Sequence, residues 1–430
     1  MKDVPVSICW FRRDLRLSDH RALESASSTG HAILCLFIFD EEILGELDRD
    51  DARVTFIHSR LQVLHEDLRL KTSSLLVRKG SVLDCWKDVL SEFDVRSVHF
   101  NRDYEPYARE RDGKVTSLLE QSGISVHACK DQVIFEAAEI LKSDGTPYTV
   151  FTPYKKRWLE RFREKDADHI PVDEKLNFLN LDAQLPALEE LSFQRSEISV
   201  PDFDLNNLDD YEKLRDIPAA DSTSHLSPHL RFGTVSIREV VRRIHKYESF
   251  LSELIWREFF MQILFHFPRV VNENFHRKYD GIQWLNNESD FDKWRHGMTG
   301  FPLVDAGMRQ LNRTGNMHNR VRMIAAGFLC KHLLIDWRRG EAYFARKLLD
   351  YDLSSNNGNW QWAAGTGCDA APYFRVFNPE RQLERFDKDL AYVKKWLPEY
   401  GSDSYPEAMV EHSAARDRAI EAYKKGFSDN

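Results

Sequence analysis

Cysteine is scarce in this sequence and is never clustered. Six cysteines are spread over 430 residues without a C-x-x-C motif, and no pair of histidines stands at the spacing of zinc ligands. Neither a disulfide framework nor a structural zinc is indicated, and we predict no metal site. Most of the cysteines are expected to be small core residues.

Long hydrophobic runs are also missing. No stretch reaches the roughly 18 apolar residues that a membrane span needs, and the start, Met1-Lys2-Asp3-Val4-Pro5, carries no apolar signal segment. The sequence therefore predicts a cytoplasmic protein without a membrane partner. Its 42% hydrophobic and 30% charged residues indicate a globular chain, and its length allows about two or three domains.

The first half lacks both the glycine-rich dinucleotide fingerprint and the phosphate-binding P-loop, so it does not indicate a nicotinamide or nucleoside triphosphate site. The net charge of −9 argues against indiscriminate coating of nucleic acid. Because that charge is a sum over the whole surface, it does not exclude one local basic face.

Short apolar runs alternate with amphipathic stretches in the first part of the chain, which is typical of a doubly wound parallel sheet. Loops at the carboxyl edge of such a sheet are where ligands bind, and Arg12, Arg13, Asp14, Arg16 and residues 101–111 are expected there. The predicted strands are Val6 to Phe11, Ala32 to Phe39, Leu75 to Val77, Val95 to Phe100 and Ile124 to Ala128.

The second part of the chain reads differently. Proline and acidic residues without clear periodicity fill about 144–201, and beyond Tyr211 the chain is almost wholly helical. The sequence thus predicts an α/β domain at 1–135, a linker at 136–205, an all-α domain at 206–405 and a short tail at 406–430.

The most informative stretch is Ser354-Ser355-Asn356-Asn357-Gly358-Asn359-Trp360-Gln361-Trp362. Two tryptophans beside amides that cannot ionise suit a redox ring system and a flat substrate better than hydrolytic chemistry, which indicates a flavin site. Seven of the ten tryptophans lie between Trp256 and Trp396. A single buried tryptophan usually only packs, so the surrounding segments carry the argument.

Those segments occur in a specific order, and with them the chain resembles the photolyase/cryptochrome family, most closely its class I-type cyclobutane pyrimidine dimer (CPD) photolyases. The resemblance spans nearly the whole chain. The segments are Trp10-Phe11-Arg12-Arg13-Asp14-Leu15-Arg16, Thr223-Ser224-His225-Leu226-Ser227-Pro228, Glu253-Leu254-Ile255-Trp256-Arg257, Gly300-Phe301-Pro302-Leu303-Val304-Asp305, Met317-His318-Asn319-Arg320-Val321-Arg322-Met323 and the tryptophan–asparagine run.

The resemblance implies an α/β antenna domain and an all-α FAD-binding domain. Hydroxyls and backbone N–H groups at a helix start suit the phosphates, although an ordinary helix cap explains the same residues. Arg322 and Asp350 would form an ion pair against the flavin, or a purely structural pair. The cofactor residues implied are Tyr211, Thr223, Ser224, His225, Leu226, Ser227, Asn319, Arg322, Asp350, Asp352 and Asn356.

Asn356 matches the family position that faces the flavin N5 atom. A neutral amide accepts a hydrogen bond there without supplying a proton, which favours the reduced anionic form of FAD as the active state. An acidic residue at this position would favour a signalling cycle instead.

For the substrate, the resemblance implies double-stranded DNA that contains a cyclobutane pyrimidine dimer, bound by a monomer. Trp256 and Trp362 would form aromatic walls for the extruded dimer, Met323 a packing contact, and Glu253 a hydrogen-bond partner for thymine. Glu253 alone is equally consistent with a solvated helix residue. Trp360, Trp337 and Trp284 match the family's electron-transfer chain, and Arg215, Arg320 and Arg375 match its DNA contacts.

Two departures from the family pattern leave alternatives open. Asn316 stands where an aromatic residue is usual, and Ala108 stands where folate-binding relatives have glutamate. The antenna chromophore is therefore a deazaflavin, a folate or FMN, or the pocket is empty. Competing functions are a cryptochrome-type photosensor that acts through protein partners and repair of the (6-4) photoproduct. Asn356, Met323 and Asn319 favour dimer repair.

Overall fold

The computed structural model describes residues 2–172, 176–206 and 208–428. Two compact units emerge, and their ranges interleave along the chain. The first contains 1–139, 159–203 and 225–246, and the second contains 140–158, 204–224 and 247–430. Residues of the predicted linker, 136–205, therefore belong to both units.

A five-stranded parallel sheet organises the first unit, with the strand order β3-β2-β1-β4-β5. This order reverses direction after β1, as in a doubly wound sheet, and confirms the predicted α/β class. The strands are β1 (Pro5–Phe11), β2 (Ala32–Asp40), β3 (Leu76–Gly80), β4 (Asp94–Asn101) and β5 (Ser125–Cys129).

Successive residues of β1 and β2 point to opposite faces of the sheet and are apolar on both. Each face therefore packs into its own hydrophobic cluster. Ile8 and Trp10 pack into one hydrophobic cluster and Cys9 and Phe11 into another. The helices of this unit are α1 (Arg21–Ser27), α2 (Glu41–Leu44), α3 (Ala52–Arg69), α4 (Val82–Glu92), α5 (Pro106–Gln121), α8 (Leu226–Arg231) and α9 (Ile237–Ile244).

The second unit is almost wholly helical, as predicted for the chain beyond Tyr211. A π-helical turn, Phe328–His332, continues directly from α13. Its helices are α6 (Phe151–Arg161, whose last three residues belong to the first unit), α7 (Tyr211–Leu214), α10 (Glu248–His266), α11 (Glu288–His296), α12 (Pro302–Thr314), α13 (Asn319–Gly327), α14 (Trp337–Lys347), α15 (Leu353–Ala364), α16 (Pro379–Phe386), α17 (Ala391–Trp396) and α18 (His412–Ser428).

Several other expectations can be compared with this fold. Cys9, Cys35, Cys85 and Cys330 are buried, as expected for core residues. The predicted C-terminal tail carries α18. Within the described part of the chain, no helix is both long and apolar enough to cross a membrane.

Candidate active site

Helix α15 is the centre of the candidate site, and α10, α13 and α14 each pack against it. Two glycines permit these close approaches. A Cβ atom on Gly358 of α15 would lie 2.1 Å from the ring of Phe260, and one on Gly340 of α14 would lie 2.2 Å from the ring of Trp360. The predicted substrate, flavin and electron-transfer residues of these four helices are thereby gathered around one element.

The tryptophan–asparagine run forms α15 and divides into two sets of side chains. Asp352 caps the helix by accepting a hydrogen bond from the Ser355 N–H at 3.1 Å. Asn357 and Gln361 are buried and donate to the carbonyl of Val270 at 2.9 and 3.0 Å. These two amides are structural tethers, so not every polar residue of the run is available to a ligand.

Asn356 lies on a different face of α15 and contacts α14. Its Nδ2 group donates to Oε1 of Glu341 at 2.8 Å and to the Glu341 carbonyl at 3.2 Å. Burial raises the pKa of Glu341, and the hydrogen bond from Asn356 opposes this shift only in part. Because the amide nitrogen is engaged, the side-chain oxygen of Asn356 is the atom left to accept a hydrogen bond from a ligand. Glu341 carried no signal in the sequence.

Arg322 and Asp350, predicted to be an ion pair, are one, with a distance of 3.0 Å between Nη2 and Oδ2. Arg322 also donates to the carbonyl of Met317 at 2.7 Å and to Oδ1 of Asn316 at 3.4 Å. Asn316, the unusual residue of the motif, therefore helps to hold this guanidinium. Asn319, Arg322 and Met323 all lie on α13, as their spacing predicted.

The predicted aromatic walls have unequal surroundings. The ring of Trp256 stacks on Phe151 with centroids 3.6 Å apart and planes 7° from parallel. Phe151 lies in the predicted linker, where its role was not foreseen. Trp362, at the end of α15, is half-buried, and Met323 is half-buried on α13.

Glu253 is not a simple solvated residue. Its Oε1 accepts a hydrogen bond from Arg215 at 2.6 Å, and the Arg215 guanidinium lies 5.3 Å from the ring centroid of Tyr211. Burial, with the nearby Glu253 carboxylate, raises the pKa of Tyr211 to about 12. Glu253 and Arg215, which the resemblance assigns to a thymine of the lesion and to another DNA contact, are thus direct partners in the protein alone.

The other two predicted DNA contacts also have partners. Arg320 pairs with Asp216 at 2.7 Å and lies 4.6 Å from the ring centroid of Phe386. Arg375 is exposed, with its guanidinium 5.6 Å from the Phe377 ring centroid. Arg215 and Arg320 would each have to leave a carboxylate in order to bind a phosphate. Arg375 has no such carboxylate partner among the described residues.

The residues predicted on the phosphate side lie close together in sequence but belong to both units. Tyr211 opens α7, and Thr223 and Ser224 lie in the second unit, whereas Leu226 and Ser227 open α8 in the first. His225 precedes α8 with a left-handed backbone, φ 50°. The assignment of these residues to the phosphates stays a prediction.

The described residues fit a flavin dinucleotide in chemical type. The hydroxyl of Ser222, next to the predicted phosphate residues, is buried with no hydrogen-bond partner among the residues that the structure describes. A buried unpaired hydroxyl is costly without a ligand. At the ring end, Asn356 presents a neutral acceptor, and Arg322 with Asp350 presents a compensated charge pair.

The three tryptophans of the predicted electron-transfer chain belong to one hydrophobic cluster. Trp360 and Trp337 are buried in it, and the half-buried Trp284 packs against it. Trp284 also contacts the ring of Tyr423 on α18, with centroids 5.9 Å apart. An electron-transfer chain that leads from the core to the surface needs buried rings and one ring at the margin of the core, and the three tryptophans meet this requirement. Their role in electron transfer stays a prediction.

At the carboxyl edge of the sheet, the predicted ligand-edge residues form ion pairs within the first unit. Arg12 pairs with Asp112 at 2.6 Å and Arg13 with Glu105 at 2.9 Å. The Arg12 guanidinium lies 4.7 Å from the ring centroid of Trp10. These contacts explain the charged residues of this edge without an antenna, whose identity they do not specify.

Comparison with known proteins gives consistent matches. Residues 7–174 match the sequence profile described as DNA photolyase, and residues 250–403 match that of the FAD binding domain of DNA photolyase. A curated deoxyribodipyrimidine photo-lyase of Halobacterium salinarum is 36% identical over 99% of this chain and 100% of its own length.

Two solved structures are similar along nearly the whole chain. A class III photolyase from Agrobacterium tumefaciens has a TM-score of 0.90 and 34% identity, covering 100% of this chain and 99% of its own. An archaeal photolyase from Sulfolobus tokodaii with two FAD molecules has a TM-score of 0.85 and 34% identity, covering 97% and 99%.

Proposed function

Since this chain belongs to the DNA photolyase family, we propose that it is a light-dependent deoxyribodipyrimidine photo-lyase that splits cyclobutane pyrimidine dimers in double-stranded DNA. It is an FAD-binding DNA repair enzyme by family. The dimer as the lesion, the residue roles, a monomeric state and a cytoplasmic location are parts of the proposal.

The observation that carries the proposed chemistry is the orientation of Asn356. Its nitrogen is held by Glu341 at 2.8 Å, so its oxygen accepts a hydrogen bond but no side-chain proton is offered in return. FAD, when bound, supplies light absorption and the electron that is lent to the dimer. Asn356 keeps the cofactor's ring in the reduced anionic form, and no general base, nucleophile or metal is required.

The substrate residues orient the lesion and exclude water. Trp256, backed by Phe151, and Trp362 offer flat faces to the extruded bases, a contact worth about 1–3 kcal/mol per base. Glu253 is released from Arg215 to hydrogen-bond a thymine, and Arg215 then turns to a phosphate. This exchange gives Arg215 an anionic partner in both states and Glu253 a hydrogen-bond donor in both.

A second chromophore is proposed for the α/β domain. The Sulfolobus tokodaii neighbour is described with two FAD molecules and a novel light-harvesting cofactor. A deazaflavin, a folate, FMN and a second FAD are the candidates, to be separated by the absorption spectrum of the pigments released from the purified protein.

Repair of a defined oligonucleotide tests the proposal. The photoreduced protein should remove a cyclobutane dimer under blue light, not in the dark, and should leave a (6-4) photoproduct unchanged. Glu253→Gln should lower the repair yield while FAD stays bound, whereas Glu248→Gln, an exposed change on the same helix, should not. Bound, reducible FAD with no repair of either lesion would instead favour the photosensor.

A further inference from the structure

The middle tryptophan of the predicted electron-transfer chain has a distinctive hydrogen bond. Trp337 is fully buried, and its indole N–H donates to Oδ1 of Asn274 at 2.8 Å. Asn274 is itself buried and lies between two short 3-10 turns, 63 residues before Trp337 along the chain. No motif in the sequence singled it out.

The orientation of this amide is fixed from its other end. Nδ2 of Asn274 donates to Oδ1 of Asp280 at 2.7 Å, so the nitrogen faces the carboxylate and the oxygen faces the indole. Reversing the amide would bring its nitrogen against the indole N–H and break both hydrogen bonds. Asp280 is exposed, so water screens its charge and its main effect is orientation.

The buried indole nitrogens of other tryptophans have different surroundings. The indole nitrogens of Trp10, Trp86 and Trp396 have no hydrogen-bond partner among the described residues. Trp294 donates to a backbone carbonyl at 3.1 Å, and Trp158 donates to the Glu258 carboxylate at 2.6 Å. Trp337 therefore differs from both groups. Its indole N–H has a side-chain acceptor, and that acceptor is a neutral amide that, unlike a carboxylate, does not take the proton.

We propose that Asn274 is a positioning residue that keeps the indole proton on Trp337 while this ring is oxidised; the inference rests on the proposed function. Bound oxidised FAD would supply the light-driven oxidant for Trp360. Trp337 would then donate one electron to the oxidised Trp360 and become a radical cation. Trp284 then returns one electron to Trp337. The indole proton stays on Nε1 throughout, hydrogen-bonded to Asn274.

The physical reason is the acidity of an oxidised indole. Its N–H is a far stronger acid than that of neutral indole, so a basic acceptor would remove the proton and trap the hole on Trp337. An amide oxygen stabilises the cation through a charge-assisted hydrogen bond without accepting the proton.

One guanidinium opposes this stabilisation, and the structure compensates for it. Arg338 lies 4.7 Å from the Trp337 ring centroid, where its charge disfavours oxidation of the ring. Both oxygens of Asp336 are within reach of Arg338, the closer salt-bridge contact being 3.1 Å. The pair is nearly neutral as seen from the ring, which leaves Asn274 as the partner that discriminates between the neutral and the oxidised indole.

Transient absorption of the full-length FAD-containing protein, starting from oxidised flavin, tests the inference. Asn274→Leu removes the acceptor and should lower the yield of long-lived charge separation about tenfold, the factor for about 1.4 kcal/mol. Asn274→Asp has the same size but adds a base, and it should convert the spectrum from the tryptophan radical cation to the neutral radical. Asn312→Leu, which removes an equivalent bond to Tyr343 at 2.6 Å, is the matched control and should change neither.

A second readout does not depend on the flavin reaction. Ultraviolet resonance Raman spectra of the unilluminated protein should show a weaker indole N–H hydrogen bond in Asn274→Leu, and Trp337→Phe identifies the band. If both Asn274 variants keep the wild-type yield and radical spectrum, the inference is wrong. If Asn274→Leu does not fold, Asp280→Ala, at the surface, should still lower the yield about threefold, and an unchanged yield there overturns the inference.

Trp337→Phe separates this inference from the proposed function. Loss of photoreduction in Trp337→Phe, with unchanged Asn274 variants, would contradict only the role of Asn274. Full photoreduction in Trp337→Phe would contradict the tryptophan chain itself.

Discussion

Buried ionic groups in the first unit are matched with opposite charges. Arg16 and Arg238 each donate to one oxygen of Asp131 at 2.6 Å, and Arg238 also donates to Asp19 at 2.9 Å. Burial alone would raise the pKa values of Asp131 and Asp19, but Arg16 and Arg238 lower the pKa of Asp131 and Arg238 lowers that of Asp19. The ion pairs thus favour the charged form of both carboxyl groups.

Buried ionisable groups in the second unit are instead surrounded by dipoles and rings. Lys331, in the π-helical turn, donates to the carbonyls of Ala364 and Tyr373 at 2.6 and 3.3 Å and lies 3.7 Å from the ring centroid of Tyr423. Burial lowers its pKa to about 7. Burial likewise raises the pKa of Asp305 and lowers that of His332 to about 3, so these groups shift towards their neutral forms.

The difference suits the separate tasks of the two units. Buried ion pairs hold their elements in one arrangement, because a displacement that separates the two charges leaves each of them buried without a partner. The second unit is proposed to carry a transient positive charge on its tryptophan rings, and neutral dipoles suit that role, since an unpaired fixed charge acts strongly at low dielectric. The comparison predicts that charge removal will be costly in the first unit and tolerated in the second.

The largest expected effect comes from Asp131→Asn, which breaks the charge matching of the first unit. Among the described contacts, Arg16 then keeps only backbone carbonyls as acceptors and Arg238 keeps only the carboxylate of Asp19 as an anionic partner. We therefore expect a loss of about 3–5 kcal/mol in unfolding free energy. Urea denaturation of the wild type and the variant, followed by a signal from the first unit, measures this loss of unfolding free energy.

The pH dependence provides a check on the same change. Because the folded pKa of Asp131 is lowered, its contribution is present above its unfolded pKa and is lost as the pH falls through the folded value. The variant should lack this acid-side decline. Asp84→Asn, in an exposed pair with Lys87, should be indistinguishable from wild type; equal losses in the two variants would contradict the comparison.

Lys331→Met should have the next largest effect, and it should raise the unfolding free energy where Asp131→Asn lowers it. The folded pKa of Lys331 is about 7 and the ordinary value is 10.5. Below about 7 both states hold the proton, and between these values the unfolded state holds more protons, so the contribution of Lys331 makes stability rise with pH. The difference between wild type and variant should change by about 1.4 kcal/mol per pH unit.

The measurement for Lys331 is the unfolding free energy of both proteins from about pH 7 to 9, taken as a difference so that buried cysteines and tyrosines cancel. Tyr423 also donates to the Ala364 carbonyl, at 2.6 Å, so this carbonyl is expected to keep a partner in the variant. Lys425→Met, which removes an exposed lysine from α18, the helix that carries Tyr423, is the control. A pH-independent difference for Lys331→Met would mean that the ammonium is not held in a neutralising environment.

Glu341→Ala should have a smaller effect, confined to the cofactor site. It removes one of the two acceptors of the Asn356 amide, which is worth about 1 kcal/mol. The reduced state of the enzyme should then be lost in air about fivefold faster. Glu341→Gln keeps an acceptor and should behave like wild type, so equal rates in the two variants would remove Glu341 from the site.

The predictions that succeeded rest on local patterns. Strands β1 and β2 are apolar on both faces and were located within one residue, because burial on both sides leaves a continuous hydrophobic run. The helical half and the α13 spacing of Asn319, Arg322 and Met323 were equally visible. Family membership followed from long motifs, not from any single residue.

The partners of the site residues could not be predicted, because tertiary packing sets them. Glu341 precedes Asn356 by 15 residues on another helix. Phe151 is 105 positions from Trp256, in the predicted linker, where the structure has α6. The pairing of Arg238 with Asp19 spans 219 positions. Amphipathic patterns show which face is buried but not which polar residue it meets.

The smallest expected effect concerns a half-buried ion pair of the second unit, Arg320 with Asp216. Solvent reaches and partly screens both charges, so the contrast between the two units does not extend to this pair. If Arg320 binds a phosphate, Arg320→Gln should weaken DNA binding for all sequences alike and reduce the salt slope by about 1. Asp216→Asn removes the carboxylate that Arg320 must leave, so it should tighten binding by about two- to fivefold. Binding of a dimer-containing duplex over a series of salt concentrations measures both, with Arg416→Gln on α18 as the control. Since the two changes act on one ion pair, opposite shifts would identify Arg320 as a phosphate contact, and parallel losses would assign the pair to folding instead.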